Sequence, residues 1–465
     1  MIKKYRWWLT LGLILLILRL PSYFEPYWYG DEGIYLTIGV GIRKGLLLYQ
    51  QIHDNKPPTL YYLAALGKTV GGLRLLLTML MIPTVYLFYR LSRKVLKKKL
   101  AQIATVCFLI LSSIPLVEGN IANAEIFMLL PTVGAVYLLV GNRGVWLPGL
   151  LLGLALTIKV PVAIEWGYFL IYLWVIKNLK IKKLLLFGLG FALPMAIWGI
   201  YFYFRGAGRE FLESALWQNF AYISSWRTGS HSGSATAGGL INRGLVLLVY
   251  WLLIWQWGQK KRLKKAEILV LGWLGASLFG VLLSERPYPH YLIQIIPPLC
   301  LIVGASWERK LGWWIVGAVA GIILGYRFYF YPTISYYANF ISWAARIKTT
   351  EEYRSYFGQE LKAIYKISQI VEEESDPNEK IFIWGDWPEI YALSQRLPAS
   401  RYTVAYHIVD FNGYAQVIDQ LKKYPAKLII YNPMPGREFP QLVELLNRYY
   451  LPIDQVERAI IFKQL

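Results

Sequence analysis

Two short polar stretches, Gly30-Asp31-Glu32-Gly33-Ile34-Tyr35 and His53-Asp54-Asn55-Lys56-Pro57-Pro58, place three carboxylates and a lysine between the first two apolar runs of the chain. A carboxylate can take the proton of an attacking hydroxyl, and a lysine can meet a phosphate oxygen. Ionisable groups beside a bilayer are costly and are kept mainly for function. Singly, Asp31 and Glu32 read as solvated loop acids; their setting gives them weight. They lie in a stretch, residues 21–56, whose middle part, 35–48, has the amphipathic character of a segment lying along a bilayer surface. The stretch returns through Asp54 and Lys56 into Pro57-Pro58, a helix start that tolerates proline because the first helical N–H groups lack internal partners.

Further cations and polar groups fall on the same side of the chain. Lys159, in Thr157-Ile158-Lys159-Val160-Pro161, stands at a helix junction where a lysine can snorkel or reach a headgroup. Arg286, Tyr288 and His290 open a later apolar run; they suit an aromatic belt or a sugar or phosphate contact. Lys56, Lys159 and Arg286 together could hold a lipid phosphate, with Asn123 and Glu125 adding polar groups and an acid. His231 lies in a Gly/Ser-rich stretch that suits a flexible loop or a lid. No spacing of His, Cys, Asp and Glu matches a metal site.

The elements that must position these residues are membrane helices. The 465 residues are 56% hydrophobic and 16% aromatic, too apolar for an ordinary soluble domain. Runs long enough to cross about 30 Å of hydrocarbon recur up to about residue 330, making about eleven spans. Gly71-Gly72 is expected to break the second of these into an interfacial piece and a true crossing. The net charge of +21 does not signal nucleic acid, because Lys and Arg cluster in short loops such as Lys3 to Arg6, Arg90 to Lys99, Arg143 and Arg309-Lys310. The positive-inside rule puts those loops and the N-terminus in the cytoplasm, in a multi-pass protein of the plasma membrane. Of the twelve Asp and Glu before residue 345, nine then fall at the outer face. The two cysteines, Cys107 and Cys300, sit within apolar runs and offer no disulfide framework.

After the spans the composition turns soluble. Lys380 to Trp384, Ala426 to Tyr431 and Ala459 to Phe462 read as short buried strands among helical patterns such as Gln441 to Tyr449. The expected organisation is a mostly α, polytopic membrane helix bundle over residues 1–345 and a small extracytoplasmic α/β domain over residues 346–465.

In order and spacing, these motifs resemble a known group. Asp31-Glu32-x-x-Tyr35, Lys56-Pro57-Pro58, Lys159 after a Gly/Leu-rich helix, and Arg286-x-Tyr288-x-His290-Tyr291 before Pro297-Pro298 together look like the family 39-like protein mannosyltransferases and the lipid A aminoarabinose transferases. Trp384-Gly385-Asp386-Trp387-Pro388-Glu389-Ile390-Tyr391 and Pro398 to Tyr402 also resemble bacterial members. These are GT-C glycosyltransferases, multispanning enzymes that use polyprenyl-phosphate sugars. The resemblance implies Asp31 as catalytic acid/base with Glu32 as its partner. It implies Lys56 and Lys159 beside the lipid phosphate, and Tyr35, Asp54, Glu125, Arg286, Tyr288 and His290 in substrate binding. It does not extend to the aminoarabinose sugar, since Ile34 stands where those transferases carry Arg. Nor does any loop accommodate the inserted regulatory domain of eukaryotic protein mannosyltransferases.

The reaction expected is inverting transfer of one sugar from a polyprenyl-phosphate donor to an extracytoplasmic acceptor, whether glycan, lipid or protein. Such a donor already carries a good leaving group, so the protein must supply a base and cations for the departing phosphate. No organic cofactor is implied, and Asp31 and Glu32 leave room for a divalent cation. A transporter of lipids or lipid-linked sugars is the alternative; it would keep its ionisable groups along a midplane path rather than at one face.

Overall fold

The computed structural model describes residues 2–141, 144–221, 234–260, 263–308 and 310–465; Arg143, His231 and Arg309 lie outside these. The chain is mostly helical. Five helices among the described residues are long and apolar enough to cross a bilayer: Tyr5–Phe24, Val70–Val95, Ile181–Phe204, Gly239–Gln259 and Pro289–Ser306. Shorter apolar helices cover Ala124–Val140, Trp146–Leu156, Val162–Ile176 and Gly312–Gly325. The apolar window of Ile181–Phe204 is 22% buried against 78% for Pro289–Ser306. The first therefore presents Leu185, Leu189, Ile197 and Ile200 to lipid, whereas the second is an interior helix.

The chain folds as two compact units. The first comprises Met1–Leu20, Leu76–Ile200 and Leu216–Thr333. Its helices pack both as chain neighbours and across the sequence: Leu129–Val140 on Trp146–Leu156, Val162–Ile171 on Lys265–Val281, and Ile296–Ser306 on Lys98–Leu111. A face-to-face contact of Phe88 with Phe108, at a ring separation of 4.2 Å, fills this interior, and the half-buried Trp166 stacks on Phe191 at 4.4 Å. Arg19 is sealed here, donating to the Thr78 hydroxyl and to the carbonyls of Ser112 and Gly119.

The second unit comprises Pro21–Leu75, Tyr201–Ala215 and Ile334–Leu465. Division by contact thus differs from division by composition at residue 345, because residues 21–75 pack with the C-terminal α/β fold. Its sheet has the order β2-β1-β3-β5-β4, with β1 at Lys380–Trp384, β2 at Leu397–Pro398, β3 at Leu428–Tyr431, β4 at Tyr450–Val456 and β5 at Ala459–Gln464. Strand β1 runs parallel to β2 and β3; β5 is antiparallel to both β3 and β4. Side chains alternate across the pleat, so Ile381 and Ile383 join Ile364, Ile367 and Val371 on one face. Phe382 and Trp384 join Leu442 and Leu446 on the other. Burial on both faces explains why these strands read as continuous apolar runs.

Two local expectations are corrected. The break after Pro57-Pro58 falls between the helices Thr59–Gly67 and Val70–Val95, at Lys68 with a φ of 65°. Gly71 and Gly72 instead lie in the first turn of the second helix, where a Cβ on Gly71 would meet the Tyr23 carbonyl and one on Gly72 the Gly67 carbonyl. They permit close approach rather than a break. The segment 35–48 is not a surface helix either. The helix Gly30–Arg43 is buried continuously from Glu32 to Gly41, packed on Thr59–Gly67 and Glu389–Ser394. Protein rather than lipid covers its apolar side.

Candidate active site

The helix Gly30–Arg43 opens with Asp31 and Glu32 in its first turn, where the helix dipole favours negative charge. Their surroundings are opposite in character. Both Glu32 oxygens are held by Arg74, at 2.8 and 2.5 Å, and Arg74 also pairs with Glu25 at 2.7 Å. All three side chains are sealed. Glu25 further accepts from the Trp28 indole at 2.6 Å and from the Tyr336 hydroxyl at 2.5 Å. Glu25-Arg74-Glu32 is a buried triad that fixes the first turn of the acidic helix. Asp31, by contrast, keeps 30% of its side chain exposed. It accepts from the Tyr35 hydroxyl at 3.0 Å and faces the Lys56 amine at 3.5 Å, with that amine 4.9 Å above the Tyr35 ring. Tyr35 and Lys56 thus meet one carboxylate that solvent or substrate can reach.

The turn that carries Lys56 is fixed at its backbone. The Lys56 N–H donates to the Tyr61 hydroxyl at 3.0 Å, and its carbonyl accepts from the Tyr49 hydroxyl at 2.8 Å. Tyr61 donates in turn to Asp54 at 2.7 Å. Asp54 is buried, so it shapes the turn rather than meeting solvent. Its other oxygen accepts from the Asn55 N–H at 2.8 Å and faces His407 Nε2 at 3.5 Å. His53 N–H donates to the Arg401 carbonyl at 2.8 Å, while His53 Nδ1 lies 3.0 Å from the Arg401 guanidinium and 3.3 Å from the Ser214 hydroxyl. Burial, then His407 and Arg401, hold the His53 imidazole well below its usual pKa.

Residues near the sheet also support the acidic helix. Thr37 donates to the Pro388 carbonyl at 2.7 Å. A Cβ on Gly33 would lie 2.9 Å from the Glu389 carboxyl, so any larger residue there would have to displace the Glu389 side chain. Glu389 is buried with one oxygen unpartnered. Burial, with Glu360 and Asp386 nearby, pushes its carboxyl up to about 8.

In the first unit a second polar group forms. Lys159 pairs with the buried Glu125 at 2.5 Å, and its amine stands 4.9 Å over the Tyr291 ring. His290 reaches two acids, Glu118 at 2.5 Å from Nδ1 and Glu125 at 3.9 Å from Nε2, while Asn123 donates to Glu118 at 3.2 Å. Tyr288 stacks on His290 at 5.7 Å. Arg286 contributes a backbone N–H to the Ser284 hydroxyl, and the neighbouring Glu285 pairs with Arg243 at 3.2 Å. Among the described residues, no three His, Cys, Asp or Glu side chains gather as a metal site.

Several of these residues escape sequence reasoning. Arg74, alone in an otherwise apolar run, carried the signal of a buried pair without naming its partners. His407 also carried no local signal; like His53 and His290, it is buried against polar neighbours.

No family model matches the chain, and no curated protein sequence matches it. Its fold does match solved structures. The chain is similar over 99% of its length to the crystal structure of ArnT from Cupriavidus metallidurans bound to undecaprenyl phosphate, covering 98% of that chain at a TM-score of 0.63 and 14% identity. It is also aligned with the archaeal oligosaccharyltransferase AglB from Archaeoglobus fulgidus in complex with an inhibitory peptide and a dolichol-phosphate, at a TM-score of 0.48 and 12% identity, over 93% of this chain and 70% of that one. The chain has the fold of a GT-C membrane glycosyltransferase and is a multi-pass membrane protein.

Proposed function

We propose that this protein is an inverting glycosyltransferase that moves one sugar from a polyprenyl-phosphate donor to an extracytoplasmic acceptor hydroxyl. The observation that carries the reading is Asp31, a partly exposed carboxylate facing Lys56 at 3.5 Å and Tyr35 at 3.0 Å. It is supported by a fold likeness to a protein solved with undecaprenyl phosphate. Asp31 takes the acceptor proton as the hydroxyl oxygen attacks the anomeric carbon. The bond from that carbon to the phosphate oxygen breaks, and the polyprenyl phosphate leaves with the electron pair. Attack opposite the leaving group inverts the anomeric configuration. Lys56 and Lys159 supply positive charge for the departing phosphate, each as a point charge on an apolar stem. Glu32 is assigned a supporting role, because Arg74 occupies both of its oxygens.

Orientation follows from charge: the N-terminus and the basic loops are cytoplasmic, and the C-terminal α/β fold lies outside the plasma membrane. With Cys107 and Cys300 replaced, an impermeant thiol reagent on intact cells should label a cysteine at the exposed Glu373 and spare one at Lys98. For the activity, purified protein is incubated with a panel of radiolabelled polyprenyl-phosphate sugars and cell-envelope acceptors. Label transferred by wild type and not by Asp31→Asn supports the reading. Movement of intact lipid-linked sugar across a vesicle membrane, with no transfer, would replace it with a transporter.

A further inference from the structure

A further buried polar cluster near the acidic helix, centred on His407 and Asp54, belongs to neither the base nor the phosphate contacts. His407, on the short helix Ala405–Asp410 beside the sheet, is buried, and its Nδ1 has no hydrogen-bond partner. Its Nε2 faces Asp54 at 3.5 Å. From Asp54 the connection runs to Tyr61 at 2.7 Å, from Tyr61 to the Lys56 backbone N–H at 3.0 Å, and from the Lys56 amine to Asp31 at 3.5 Å. The segment is held in the same direction by backbone pairing of His53 with Tyr402, next to the His53–Arg401 hydrogen bond. A sealed carboxylate needs a donor or a cation on each side, and His407 is the side chain that the α/β fold offers Asp54.

We infer that His407 is a positioning residue of the acidic site: by holding Asp54 it fixes the 54–58 turn and so keeps the Lys56 amine against Asp31. The inference rests on reading Asp31 and Lys56 as the reactive pair. It gives the C-terminal fold a task in the site: without His407 the Asp54 oxygen that also accepts from the Asn55 N–H loses its side-chain neighbour, which loosens the hold of the carboxylate on Tyr61 and, through Tyr61, on the Lys56 backbone. A Lys56 backbone so loosened would shift the amine from its place between the Asp31 carboxylate and the Tyr35 ring.

The test compares His407→Phe, which keeps the ring volume and loses both nitrogens, with His407→Gln, whose amide N–H reaches toward the position of Nε2. The first readout needs no catalysis: acylation of Lys56 in detergent-purified protein, followed by mass spectrometry, with the exposed Lys422 as internal reference. An amine engaged with a carboxylate is kept protonated and reacts slowly, so His407→Phe should raise the Lys56 rate by about threefold or more, and His407→Gln should return it toward wild type. The second readout is binding of undecaprenyl phosphate, expected to weaken by about tenfold in His407→Phe and to recover in His407→Gln. Where His407→Phe does not yield a monodisperse protein, Asp54→Asn carries the same test, since it removes the charge that His407 faces and should also speed Lys56 acylation. Unchanged Lys56 acylation in these variants, or equal effects of Phe and Gln, overturns the inference. Wild-type protein that neither binds undecaprenyl phosphate nor transfers sugar instead overturns the functional reading, and the acylation result still decides the positioning role.

Discussion

Arg74 and Glu32, 42 positions apart in the chain, meet in a two-point ion pair with neither side chain exposed by more than 1%. Adjacent to Glu32 in sequence, Asp31 is the carboxylate left open. A helix places neighbouring residues about a third of a turn apart, so one acid of a consecutive pair can anchor the helix while the other faces the reactants. One acid is thus sealed in an ion pair while its neighbour stays open to solvent.

The anchoring role predicts a stability effect. Removing one member of a buried pair strands the other's charge, at a typical cost of about 3 to 5 kcal/mol. Arg74→Ala, which strands both Glu25 and Glu32, should lower the unfolding midpoint in detergent sharply, and Glu32→Gln should lower it in the same direction. A midpoint unchanged from wild type in Arg74→Ala would show that the triad is not an anchor.

Asp31→Asn predicts the reverse pattern. Asp31 is partly exposed and its pair with Lys56 is long, so its loss should change stability by no more than about 1 kcal/mol. Sugar transfer should fall by at least about 100-fold, because the amide cannot take the acceptor proton. Activity within about tenfold of wild type, a barrier change of about 1.4 kcal/mol, would remove Asp31 as the base.

How much of this was legible in the sequence follows from the range of each interaction. Apolar runs and alternating strands are local patterns, so the membrane helices, the soluble C-terminal fold and strands β1, β3 and β5 could all be read from it. Strands β2 and β4 could not: β2 spans two residues, and β4, Tyr450–Val456, is exposed at five successive positions and is interrupted in pattern and register at Pro452 and Asp454. The juxtaposition of Asp31, Tyr35 and Lys56 was approachable because 31 and 35 are one helical turn apart and the chain returns soon afterwards. Arg74 with Glu25, and His407 with Asp54, depend on folds of the chain that periodicity does not encode. Surface amphipathicity at 35–48 misled for the same reason, since the helix Glu389–Ser394 that covers it is more than 300 residues away.

Glu389 predicts a pH dependence of stability. Its folded pKa of about 8 lies above the ordinary glutamate value near 4.3, so the folded state keeps a proton that the unfolded state releases. Stability from this group is therefore full below about pH 4.5, falls as pH climbs, and levels off above about pH 8. The loss is on the order of a few kcal/mol. Glu389→Gln carries no such titration. Between pH 5 and pH 9 the difference in unfolding midpoint should shift steadily in favour of the variant, and parallel pH profiles for the two proteins would show that the buried carboxyl does not titrate with folding.

The two lysines are separable by what they leave behind. Lys56→Ala removes an amine from a partly exposed aspartate, whereas Lys159→Ala takes the paired cation from Glu125, which is 2% exposed and lies 3.9 Å from His290. Both should weaken undecaprenyl phosphate binding by roughly 2 kcal/mol or more, about a 30-fold rise in Kd. Only Lys159→Ala should also cost stability, because a buried carboxylate loses its cation. Titration of undecaprenyl phosphate alongside unfolding in the same detergent separates the effects. Unchanged affinity in both variants would leave the lysines as structural ion-pair partners, and would move the phosphate contact to other cations such as Arg286.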